Sequence, residues 1–144
     1  MWYNVVMRYT GIKGKFWKVF SEYVRKRDYY KYRTCVTCGK VFETWQESQA
    51  GHFAPAGNCG FALLFSEDNV HAECNYDNAF NKGHLIQYKT TLTRRYGRKF
   101  VNDLENRYND SRYKGKTTSE WSKAEYEAKI IEYKAKIQKL EFSS

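Results

Sequence analysis

Apolar side chains recur at Phe16, Phe20, Tyr23 and Val24, and Arg27 extends the same stripe. That three-and-four spacing belongs to one face of a helix, so residues about 14–28 are expected to form an amphipathic helix within a basic N-terminal region, 14–33, its apolar stripe on the core. The period then breaks. TCVTCGKVFETW (34–45) and QESQAGHF (46–53) mix β-prone residues with a glycine turn, which predicts two or three short strands. APAGNCG (54–60) holds the chain's only proline and two glycines and reads as a loop, and FALLF (61–65) as a short buried segment. A helix is expected from near Asn75 to Gly83, where glycine would stop it, followed by helices over about 85–96 and 98–109. NDSRYKGKTTS (109–119) is polar enough to be a mobile connection. The last helix, about 118–140, opens on Thr117-x-x-Glu120 as a capping box and places Ile130, Tyr133, Ile137 and Leu140 on one side, as core or as a dimer contact. The whole reads as one α+β domain over 1–144: a basic helical region at 14–33, a small mixed core at 34–84 and a helical region at 85–144.

Composition sharpens this outline. A chain of 144 residues, 42% hydrophobic, can bury one modest core. Its net charge of +9 is unevenly placed: residues 1–34 carry nine Lys/Arg against two acids and 85–116 nine against three, whereas 35–84 carry two against six. A mildly acidic, Cys/His-containing centre between basic flanks is the pattern expected of a cation site set into a polyanion-binding surface. Aromatic residues at 18%, many beside Arg or Lys as in YVRKRDYYKYR (23–33), favour nucleic acid, because such side chains stack on bases and bond phosphates. The candidate contacts are Arg25, Lys26, Arg27, Lys31 and Arg33 on the first flank, and Lys82, Arg94, Arg95, Arg98 and Lys99 on the second. No apolar run approaches the ~18 residues of a membrane span and no secretory segment is visible, so a soluble protein working in the cytoplasm where it is made is expected. Four cysteines in that compartment point to metal ligands or free thiols rather than disulfides.

Cys35-x-x-Cys38 followed by Gly39 has the form of a zinc knuckle, two thiolates on a tight turn with glycine where the chain bends back. Structural zinc takes four ligands. The only other stretch of similar form is Cys74-x-x-Asp77, in which a carboxylate takes the place of a second thiolate. Asp77 is the favoured fourth ligand; Cys59 is its main rival, with His71 and His84 further alternatives. A carboxylate in a soft-preferring site should leave the zinc labile.

Between the two halves of this site stand His52, Asn69 and Asn78. Taken singly, each has an ordinary role: a core histidine, a turn cap and an exposed helix residue. Their joint order, after one Cys-x-x-Cys and around the second ligand pair, resembles the HNH endonucleases of the ββα-metal class. TCVTCGKVF, AGHF, FSEDNVHAEC, the segment from Asn78 to Gly83, Tyr88 and the RRYG of residues 94–97 further resemble the NinG/Rap family of lambdoid phage recombination endonucleases, as does the helix around FWKVFSEYVRKRD (16–28). The resemblance implies that His52 is the general base, that Asn69 holds the loop orienting it, and that Asn78 offers its amide oxygen to a catalytic Mg²⁺ or Mn²⁺. It implies a phage or prophage protein acting in the host cell on branched DNA such as Holliday junctions or D-loops, for which a homodimer would supply two cutting sites. Two departures stand out. Asp77 replaces the family's usual cysteine, and Gly51 stands before the base where many HNH enzymes place a metal-binding aspartate, so the second protein ligand of the catalytic metal is left open among His84, Asn81 and Asp77. A zinc-stabilised DNA-binding accessory module that never cuts, or an HNH-like nuclease acting on duplex DNA or RNA, are the alternative readings.

Overall fold

An aromatic spine organises the molecule, and the first helix carries it. The computed structural model describes residues 9–79, 84–113 and 119–143. Helix α1 spans Gly11–Lys31 and buries Phe16, Trp17, Phe20 and Val24. It is longer at both ends than the apolar stripe alone predicts. Its C-terminus is closed by Arg33 in the left-handed region (φ 62°), where the amides of Tyr32 and Arg33 both donate to the Asp28 carbonyl at 2.8 and 3.0 Å.

After α1 come a 3-10 turn (Trp45–Glu47), strand β1 (Ser48–His52), a short helix α2 (Phe61–Leu64), strand β2 (Val70–Cys74) and helices α3 (Asn75–Ala79), α4 (Leu85–Tyr96), α5 (Arg98–Tyr113) and α6 (Lys123–Ser143). Helix α6 lies along α1 in the same direction: Lys13 pairs with Glu120 at one end (2.8 Å) and Lys26 with Glu141 at the other (2.5 Å). Between these pairs, the Tyr133 ring meets Phe16 at 5.7 Å and Phe20 at 5.2 Å. Phe65, Trp121 and Tyr126 join the same cluster, which is the main core. Each such buried ring contributes on the order of 1.5–3 kcal/mol, so the stripe on α6 is core rather than a dimer contact.

Strands β1 and β2 form a two-stranded antiparallel sheet with Ser48 opposite Cys74, Ala50 opposite Ala72 and His52 opposite Val70. Residues 34–53 therefore contain one sheet strand, where two or three were expected; the stretch around the knuckle makes only an isolated bridge, Thr34 to Val41. The partner strand, VHAEC, alternates apolar and polar residues, yet all five are buried, His71 and Glu73 included. Its outer edge is covered. Asp28 accepts the Ala72 amide at 2.7 Å, and the Val36 amide donates to the Ala72 carbonyl at 3.0 Å.

This covering corrects part of the expected nucleic-acid face. Arg27 turns inward, bonding Asp28 at 2.8 Å and the Val70 carbonyl at 2.9 Å, and Lys26 is buried between Glu22 and Glu141. Neither cation is available to phosphate, because each lies on the face by which α1 grips the rest of the fold. Lys82 and Asn81 lie outside the described residues, as does Thr117 of the expected capping box. The box that α6 uses is Ser122-x-x-Glu125: the Glu125 amide donates to Ser122 Oγ at 3.2 Å, and the Ser122 amide to Glu125 Oε1 at 3.1 Å. Of the polar stretch 109–119, residues as far as Tyr113 continue α5, and 114–118 lie outside the described residues.

Candidate metal centre and the residues around His52

The chain leaving α1 turns tightly through Cys35–Gly39. Gly39 has φ 79° and donates its amide to the Cys35 carbonyl at 3.0 Å, so a residue with a Cβ would strain this turn. The second half of the cluster comes from the other side of the sheet, Cys74 ending β2 and Asp77 lying on the first turn of α3. The ligand atoms of Cys35, Cys38, Cys74 and Asp77 all lie within 4.8 Å of one another. Cys38 Sγ is 3.8 Å from Cys74 Sγ, and Asp77 Oδ2 is 3.3 Å from Cys35 Sγ and 3.1 Å from Cys74 Sγ. A tetrahedron with zinc–sulfur bonds near 2.3 Å has edges of about 3.8 Å, somewhat less toward a carboxylate oxygen. The donor set therefore fits a zinc-class ion. The amides of Thr37 and Cys74 point at Cys35 Sγ at 3.3 and 3.2 Å, as suits a thiolate. Without a cation, burial pushes the Cys35 thiol up to about 11 and raises Cys74 as well, so a bound metal must displace protons.

The rivals for the fourth position are placed elsewhere. Cys59 is buried in the main core, its Sγ 3.4 Å from the Gly60 carbonyl. His71 accepts from Arg27 at Nδ1 (3.2 Å) and donates from Nε2 to the Asp68 carbonyl (2.8 Å), which fixes a neutral ring; burial lowers its pKa to about 4.

His52 closes β1, half-buried, its ring stacked on Trp17 at 5.4 Å. Its Nε2 donates to the Leu64 carbonyl at 2.8 Å, so in the neutral ring the lone pair sits on Nδ1. Asn69 is fully buried and holds the segment that follows His52: its Oδ1 accepts the Ala54 amide at 2.7 Å, and its Nδ2 donates to the carbonyls of Ala54 and Leu63, each at 3.1 Å. Tyr88, buried on α4, donates to the Gly51 carbonyl at 2.6 Å.

Glu73 is the residue that reasoning from sequence missed. It is fully buried and shares a sheet face with Gly51. Its Oε2 receives the Thr37 hydroxyl and His84 Nδ1, the latter at 2.5 Å, and that bond raises the His84 pKa against the opposing effect of burial. Its Oε1 lies against Gly51, where a Cβ would collide with it and would stand 3.1 Å from Asn78 Oδ1. A glycine inside a strand is the available signal of such a close approach. Of the cations expected to face a nucleic acid, Lys31, Arg33, Arg94, Arg98 and Lys99 are exposed. Arg25 lies over Trp45, and Arg95 stacks on Tyr32 at 3.9 Å while bonding Thr34.

Fold and cluster together define a small α+β protein in which three thiols and a carboxylate form a group that could hold a metal ion, between a helix exit and a two-stranded sheet. The chain belongs to the NinG family: residues 6–142 match the family model described as Bacteriophage Lambda NinG protein. It is 29% identical over 120 residues to Protein ninG of Escherichia phage lambda, covering 83% of this chain and 52% of that protein. It is 31% identical over 112 residues to Protein ninG of Salmonella phage P22, covering 76% and 51%. The chain thus spans about half the length of the curated relatives it matches. No solved structure matches it significantly. Among the described residues no helix is long and apolar enough to cross a membrane.

Proposed function

We propose that this chain is a metal-dependent endonuclease with an HNH-like ββα-metal core, hydrolysing phosphodiester bonds in branched DNA. The observation that carries the reading is the end of β1. There a histidine with its Nδ1 lone pair set by the Leu64 carbonyl stands one residue from the glycine over which the Asn78 amide oxygen is held. In this reading His52 Nδ1 takes the proton of the attacking water, and Leu64 and Trp17 hold the ring in place to do so. Asn69 fixes the loop behind the base, so its loss would misplace the ring rather than remove a reacting group. The Asn78 amide oxygen would hold a Mg²⁺ or Mn²⁺ ion, which when bound would supply stabilisation of the charge on the scissile phosphate and leaving oxygen. The zinc-class cluster has a structural part: it pins α3, and with it Asn78, to the exit of α1.

Branched DNA comes from the family resemblance, and the exposed cations on α4 and α5 support a polyanion of some kind. Arg95 on Tyr32 joins the end of α1, with Lys31, to the end of α4, with Arg94. Symmetric cutting of a four-way junction would take two copies of the chain. The deciding experiment is cleavage of an end-labelled four-way junction beside linear duplex, single strand and RNA, with Mg²⁺ or EDTA, by wild type and His52→Ala. Metal-dependent junction cutting by wild type, with the alanine variant binding but at least ~100-fold slower, is the expected result. Equal binding by both with no cutting in Mg²⁺ or Mn²⁺ would instead support a DNA-binding accessory module. Light scattering of the protein–junction complex reads the number of chains.

A further inference from the structure

A fully buried glutamate is costly unless both carboxylate oxygens are satisfied. In Glu73 one is and one is not. Oε2 holds Thr37 and His84, whereas Oε1 is buried with no hydrogen-bond partner among the described residues. This oxygen occupies the space above Gly51, toward which Asn78 Oδ1 reaches from α3. The absence of a Cβ at position 51 is what leaves room for Glu73. Two hard oxygen donors, from β2 and from α3, therefore converge above Gly51, the residue before the base. The soft donors are kept apart, since Cys74, the next residue of the chain, points to the thiolate cluster on the opposite face of the strand. Oxygen donors select Mg²⁺, Mn²⁺ or Ca²⁺ and thiolates select zinc, so the two faces of β2 sort two classes of ion.

We infer that Glu73 Oε1 and Asn78 Oδ1 together bind the hard divalent cation above Gly51, the residue before His52, with His84 and Thr37 as residues that position the Glu73 carboxylate. The assignment rests on the endonuclease reading and adds to it the missing carboxylate. Two protein oxygens suffice for an ion that keeps several of its waters. Because Thr37 lies between Cys35 and Cys38, its bond to Glu73 also ties the hard site to the zinc-class turn.

The test uses Mn²⁺ alone as the probe, on the zinc-loaded full chain without DNA. Titration calorimetry of wild type is expected to find one Mn²⁺ site, and paramagnetic broadening of the amide NMR signals should centre on Gly51, Glu73 and Asn78. Glu73→Gln should weaken Mn²⁺ at least ~tenfold with zinc content unchanged. The pair Glu73→Ala/Gly51→Asp, which moves the carboxylate across the strands into the same space, should recover most of the loss. Broadening centred on Cys35 and Asp77, or a Glu73→Gln protein that binds Mn²⁺ as wild type does, overturns the assignment. If that variant also cuts the junction normally, the assignment falls alone and the endonuclease reading stands. If wild type binds no Mn²⁺ and cuts nothing, both fall. Should Glu73→Gln fail to fold, the broadening pattern of wild type decides.

Discussion

At the scale of single residues, the fold depends on a few buried polar groups whose partners lie far away in sequence. Asp28 is one. Burial alone would raise its pKa, but Arg27, His71 and the Ala72 amide more than offset this and hold it below the usual carboxylate range. A lowered folded value means that Asp28 stabilises the fold above the unfolded carboxylate value of about 3.9, and that this contribution is lost as pH falls from there through the folded value. Asp28→Asn keeps an acceptor for Ala72 but leaves Arg27 without its charge partner; a loss of about 3–5 kcal/mol in urea unfolding at pH 7 is expected, shrinking below pH 4. Tyr88→Phe removes the donor to the Gly51 carbonyl and should cost about 1–3 kcal/mol by the same measurement. Candidate ligands and base were legible as residues because their chemistry is local: a Cys-x-x-Cys turn needs only its own spacing. Glu73 was not, since nothing beside it in sequence tells that its carboxylate crosses to Gly51 on the neighbouring strand.

At the scale of elements, periodicity located the helices better than the strands. The bounds of α4 agree with the expected 85–96, whose last turn runs directly into Gly97 (φ 95°). The start of α6 was misplaced because two Ser/Thr-x-x-Glu sequences lie five residues apart and both satisfy the capping pattern. Tertiary contacts choose between them: Glu120 is held by Lys13 and Tyr126, so it ties α1 to α6, and Ser122 and Glu125 cap the helix. Ser122→Ala should therefore lower stability by about 1 kcal/mol, read as a drop in Tm of a few degrees by circular dichroism. Thr117→Ala should leave it unchanged. Strand β2 escaped notice because its alternation runs over only five residues and its polar members, His71 and Glu73, are buried by partners distant in sequence.

At the scale of the whole molecule, an ion held by the thiol–carboxylate cluster would staple the exit of α1 to the end of β2 and α3. Removing a zinc-class ion should thus loosen the sheet side before the aromatic core formed by α1 and α6. A chelator-treated protein is expected to melt several degrees lower and to lose amide protection first around Cys35, Cys74 and Asp77. Because the Cys35 thiol is pushed up to about 11 without a cation, protons compete with the metal throughout the neutral range, and zinc affinity should rise between pH 6 and 9, the thiol ligands releasing their protons on binding. Asp77→Cys should bind zinc more tightly, measured by competition with a chelating dye. Equal affinity across that pH range would argue against a thiolate site.

By itself the sequence determined the helical frame, the knuckle and the types of residue available for chemistry, because helix period and ligand spacing are set over a few neighbouring positions. The tertiary structure decided which of them meet. It took Arg27 and Lys26 out of the cationic surface, moved Cys59 and His71 away from the cluster, and set a glutamate into the space that a glycine leaves open. Such choices depend on burial and on contacts between residues tens of positions apart, and no local pattern encodes them.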